Sequence, residues 1–167
     1  MLEVLVAEHA EALFEGLSHP ELYAFIEERP PASAEALRRR YERLARGRSP
    51  DGAERWLNWA VRRGEQYLGY VQATVAPTEH ASIAYVLFRE HWGFGYARAA
   101  ALCMMALLEA EGVRHFSATV HTDNARSRRV LEGLGFTLRE LRPSVPGGPV
   151  DEALYGRAST SCALERS

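Results

Sequence analysis

The segment Trp92-Gly93-Phe94-Gly95-Tyr96-Ala97-Arg98 constrains this chain most. Residues 83–88 ahead of it are β-branched and aromatic, which predicts a strand. Residues 95–111 behind it place Ala97, Ala101, Met104 and Leu108 on one helical face, and Gly112 closes that helix. Two glycines two apart allow a tight bend and let backbone approach a ligand with no Cβ in the way. The first N–H groups of a helix have no partner within it, and its dipole adds partial positive charge there. Strand, bend and helix therefore predict an anion site suited to a phosphate or pyrophosphate. A dinucleotide fingerprint would need a third glycine at Arg98 and a strand-first parallel unit. A purely structural turn is the other alternative.

The period of the sequence changes twice. The first third reads helical. Ser18-His19-Pro20-Glu21 has the spacing of a capping box, with Leu22, Phe25 and Ile26 as the stripe behind it. After Pro30-Pro31, Ser33 caps a second helix carrying Leu37, Tyr41, Leu44 and Ala45, with Arg38, Arg39, Arg40, Arg43 and Arg46 on a solvated face. Strands are predicted over 56–61 and 67–75, joined at Arg63-Gly64, and over 83–88, as an antiparallel meander. The last third alternates: helix 95–111, strand 113–120, helix 124–134 ended by Gly135, strand 136–140, and a strand at 152–155 paired with it. This is an α/β layered domain around a mixed sheet, a single domain over 1–167.

Composition removes several functions. The charge sum is −2, too near neutral for gripping a nucleic-acid backbone. All 20 basic residues are Arg, so a Schiff-base lysine or a Walker-type loop has no lysine to use. The longest apolar run, 99–108, is half the span of about 20 residues that a bilayer needs. The chain starts without a basic leader, and its two cysteines, Cys103 and Cys162, make neither a disulfide framework nor a zinc site. Cys103 reads as core. The six histidines lack close ligand spacing, so no metal is expected. The setting expected is cytoplasmic, with no nucleic-acid and no membrane partner.

Three blocks in order resemble the Gcn5-related N-acetyltransferase (GNAT) superfamily, nearest its ribosomal-protein-alanine branch. They are Ala84-Tyr85-Val86-Leu87, then the glycine bend, then Asn124-Ala125-Arg126-Ser127 with Val130-Leu131-Glu132-Gly133-Leu134-Gly135-Phe136. His19-Pro20-Glu21-Leu22 and Leu154-Tyr155 are similar too. The resemblance implies a mostly antiparallel central sheet flanked by helices and splayed into an acyl-CoA cleft. It implies acetyl-CoA as co-substrate, with Phe94, Gly95, Tyr96, Ala97 and Arg98 at the pyrophosphate. Val86 and Phe88 would pair with the pantetheine arm through strand backbone, and Asn124 would contact that arm. The family often opens the bend with Gln or Arg, where this chain has Trp92.

Acyl transfer to an amine needs a neutral amine, a donor to the oxyanion and a proton for the departing thiolate. The oxyanion donor expected is a strand N–H near Val86 or Leu87. Ser127 lies on the inward stripe of its helix and is the candidate acid, the alternative being a serine bonded to its own backbone. Glu79 and His80 are the candidate bases, since Ser82 stands where the family often has Glu; His121 is weaker. The acceptor is a small-molecule amine or a protein N-terminus. The family's habits imply a homodimer. An acyl-CoA-binding regulatory module is the rival reading.

Overall fold

In the computed structural model, residues 1–26 and 28–159 are described, so Cys162 lies outside the described residues. Strands β1 (Leu2–Val4), β2 (Arg55–Arg63), β3 (Gln66–Val75), β4 (His80–Leu87), β5 (His115–His121), β6 (Thr137–Pro143) and β7 (Val150–Ala158) form one sheet in the order β1-β2-β3-β4-β5-β7-β6. The helices are α1 (His9–Leu17), α2 (Ala34–Leu44), α3 (Tyr96–Ala110) and α4 (Ala125–Gly133). β1 to β4 are antiparallel, as are β5, β7 and β6; only β4 and β5 are parallel. That one parallel pair needs a long crossover, and α3 supplies it.

Alternation along the strands sorts the core into two layers. Val61, Val71, Ile83, Leu87, Phe116, Ala118 and Val120 pack with α3 and α4, where Met104 and Leu108 have 0% exposure. Their sequence neighbours Ala60, Tyr70 and Val86 face α1 and α2 on the other side. The mixed, mostly antiparallel sheet expected from the sequence is therefore present.

Ser33 caps α2 as expected, its hydroxyl accepting from Ala36 N at 3.0 Å. Ser18 does not open a helix. It closes α1, its N–H and hydroxyl both donating to Phe14 O. Pro20 then starts a single 3-10 turn over Pro20–Tyr23, leaving Phe25 and Ile26 well exposed rather than on a buried stripe. Pro at the first position suits a short turn equally well, so the spacing alone did not separate the two. Cys103 is exposed on the outer face of α3, which corrects its reading as core. β1 carries too few residues to show a period.

Gly69 sits where β3 bulges against β2, and its φ is +139°. A Cβ there would lie 2.1 Å from Val86 O, so the close approach of β3 to β4 excludes a side chain. Gly69→Ala is expected to lose roughly 2 kcal/mol or more in urea denaturation with unchanged slope. A loss below about 0.5 kcal/mol would mean that the approach is not required.

Candidate acyl-transfer site

The β4–β5 ladder holds for three pairs, His80↔His115, Ala81↔Phe116 and Ser82↔Ser117, and then stops. β4 keeps pairing with β3 as far as Leu87, and β5 with β7 as far as His121. Beyond Ser82 and Ser117 the sheet is split. The register decides which backbone groups line the split. His80 O accepts from Ala76 N, and Phe88 N donates to Leu68 O, so even-numbered residues of β4 turn their N–H and C=O onto β3. The N–H and C=O of Ile83, Tyr85 and Leu87 point into the gap. Val86 and Phe88, expected to offer backbone to the cofactor, are turned the other way. Phe88 is also 4% exposed, and its C=O accepts from His91 N. Of the two oxyanion candidates, only the Leu87 N–H faces the gap.

The glycine bend lies at the mouth of this split. Gly93 has φ +84° and Gly95 +80°, and a Cβ at either would meet nothing within 4 Å. The glycines therefore serve the turn and leave its surface open. Gly95 caps α3, and its C=O takes the first helical bond, from Ala99 N at 3.0 Å. Among the described residues, the N–H groups of Gly93, Phe94, Gly95, Tyr96, Ala97 and Arg98 donate to no acceptor. Six donors at a positive helix end, facing open space, form a cradle that fits a diphosphate. Phe94 is 70% exposed and Tyr96 is partly buried. Arg98 turns its Nε to Gly133 O on α4, 3.1 Å away. Trp92 donates Nε1 to Leu87 O at 2.7 Å and so closes the last β4 carbonyl on the gap side.

α4 brings the second set of groups. Asn124 accepts from Ser127 N at 3.1 Å and caps the helix with its side-chain carbonyl, leaving its amide NH₂ for other partners. Arg128 ties α4 down through Thr122 O and the Tyr155 hydroxyl, both at 3.1 Å. The Ser127 hydroxyl, half-buried, lies 2.8 Å from the Tyr85 hydroxyl, which also donates to Ser127 O at 3.1 Å. This contact crosses the split on its α3/α4 side. The Tyr85 phenol is pushed up to about 12 by burial, with the Ser127 hydrogen bond pulling partly back. It is neutral through the physiological range. Tyr85 was legible in the sequence only as part of the strand block. The signal for it is parity: it is the strand aromatic one residue out of step with Val86.

Glu79 and His80 are not brought to this place. They lie at the closed end of the β4–β5 pair, where Glu79 has φ +56° and its C=O accepts from Arg114 N and His115 N. Glu79 is six residues from Tyr85, about 20 Å along an extended strand. Ser82 belongs to the last pair before the split. His121 stands at the open end of β5 with its ring 5.4 Å from Phe25, and its Nδ1 accepts from Asp123 N at 3.1 Å.

A family model for the acetyltransferase (GNAT) domain matches residues 1–137. The chain belongs to the GNAT acetyltransferase family. Solved structures share the fold. An acetyltransferase of Thermus thermophilus superposes with a TM-score of 0.74 at 23% identity, over 95% of this chain and 96% of that one. RimL, a ribosomal L7/L12 alpha-N-protein acetyltransferase, in complex with coenzyme A gives 0.79 at 20%, over 94% and 92%. The ribosomal-protein-S5-alanine acetyltransferase of Vibrio fischeri gives 0.74 at 18%, over 96% and 93%. No curated protein sequence matches the chain. This GNAT enzyme transfers an acetyl group from acetyl-CoA to an amine. No helix among the described residues is long and apolar enough to cross a membrane.

A raised phenol pKa favours the folded state below pH 10, and that contribution is lost as pH rises toward 12. The phenolate absorbance that Tyr85→Phe removes should therefore develop near pH 12. Its appearance near pH 10 would show an unburied phenol.

Proposed function

We propose that this acetyltransferase is one domain over 1–167, works in the cytoplasm, and acetylates the α-amine of a protein N-terminus by direct attack on bound acetyl-CoA. The observation carrying this reading is the Ser127–Tyr85 contact beside a split whose free backbone faces inward. Acetyl-CoA supplies the activated acyl group as a thioester. The N–H groups of the bend bind its diphosphate. The gap-facing Leu87 N–H near the mouth, with the Asn124 amide, orients its pantetheine arm along the split. The Tyr85 N–H, which faces the gap deeper in the split, donates to the oxyanion that forms on attack. The Ser127 hydroxyl passes its proton to the departing sulfur and takes one back from the attacking nitrogen, so that amide, free thiol and neutral serine result, and Tyr85 holds that hydroxyl in place.

The choice of an α-amine rests on proton chemistry as well as on the fold. Glu79 and His80 are remote from Ser127, so the acceptor must arrive largely neutral. An α-amine titrates at about 8, whereas a lysine amine titrates at about 10.4. Near neutrality the first is neutral in a substantial fraction and the second in about one part in a thousand. RimL and the S5-alanine enzyme, similar in fold, act by their names on ribosomal proteins.

The test is thiol release with peptides bearing a free α-amine, a lysine alone, or small amines. A free α-amine is expected to be preferred, with kcat/KM rising through a midpoint near pH 8 to a plateau at higher pH. Preference for lysine or a small amine would overturn the acceptor. Binding of CoA with no turnover on any amine would leave a regulatory module. Ser127→Ala should lower kcat about 100-fold while leaving CoA affinity within twofold; unchanged kcat would remove Ser127 from the reaction. Gly95→Asp should abolish CoA binding, since it sets a carboxylate against the diphosphate.

A further inference from the structure

Trp92 is fixed twice. Its indole nitrogen is held on Leu87 O, and its outer face carries the Arg126 guanidinium 3.7 Å from the ring centre. Arg126 comes from the first turn of α4, on the β5 side of the split, while Trp92 belongs to the β4 side. The pair joins the two lips beside Gly93. Both residues border an open groove with His19, Glu21, Arg89 and Glu90.

The other arginines near the bend have partners. Arg98 is on Gly133 O, Arg63 on the Tyr96 hydroxyl, and Arg89 on the Glu21 carboxylate. Among the described residues, Arg126 has neither a hydrogen bond nor an ion pair, and its N–H donors are unspent. A cation in the first turn of a helix also sits at the unfavourable end of the dipole. An anion between the two helix starts would offset that cost. A guanidinium flattened on an aromatic face presents its donors edge-on as a planar fork, which matches two oxygens of a phosphate.

We infer that Arg126, held over the Trp92 ring, is a specificity-determining cation for the diphosphate of the acyl donor. This rests on the acetyl-CoA reading above. The residue sets how the donor is held and takes no part in the chemical step.

Calorimetric titration of wild type, Arg126→Ala, Arg126→Lys and Arg129→Ala with CoA and with dephospho-CoA tests it. Arg129 lies on the same helix, is exposed and has no assigned part. Arg126→Ala should weaken CoA and dephospho-CoA alike, by about tenfold or more. Arg126→Lys should fall between, and Arg129→Ala should stay within twofold of wild type. With S-acetylpantetheine, which lacks the diphosphate, Arg126→Ala should turn over with wild-type KM. Equal affinity in Arg126→Ala and wild type would overturn the inference. So would a loss seen with CoA but not dephospho-CoA, which moves the contact to the 3′-phosphate, or an equal loss with S-acetylpantetheine. Failure of wild type to bind CoA would instead remove the donor assignment.

Discussion

Everything at this site follows from one interrupted ladder. β4 and β5 bond to each other for three residue pairs and no further, although each keeps its other neighbour to the end. A strand that is paired on one side only presents a row of free N–H and C=O groups, the same feature that makes sheet edges adhesive. Here the row lies inside the fold, walled by the two lips. An extended, amide-bearing chain is what such a slot accepts. The pantetheine arm is chemically of that kind.

The two faces of the split carry different work. On the α3/α4 face, Tyr85 reaches across to Ser127, and α4 is locked by Arg128 to the strands beyond. On the α1/α2 face stand Val86, the exposed Phe25 and His121. On the proposed reading, the Ser127–Tyr85 pair lies on one side of the sheet and these groups on the other. On the proposed reading, the amides of the glycine bend hold the diphosphate at the mouth and so set how far the thioester reaches down the slot. Glu79 stands at the closed end of the β4–β5 pair, away from these groups.

Much of this was legible in the residues. The Ser33 cap, the β2–β3 hairpin and the bend each rest on local geometry that a few residues dictate, and each is where the spacing placed it. What escaped depended on tertiary partners. Ser18 satisfies the same hydrogen-bonding capacity at the end of one helix that it would at the start of another. β1 is three residues long and exists because β2 offers an edge. The backbone assignment to Val86 and Phe88 missed by one residue, since strand parity is set by the bond from Phe88 N to Leu68 O, which no local pattern reveals. Tyr85 gained its place from a serine 42 residues away.

Residue-resolved amide hydrogen exchange with and without acetyl-CoA tests the central claim most directly. Acetyl-CoA should slow exchange at Tyr85, Leu87 and the amides of the bend, while Val86, already bonded to β3, changes little. Protection at Val86 with none at Tyr85 and Leu87, or no protection at the bend, would contradict it.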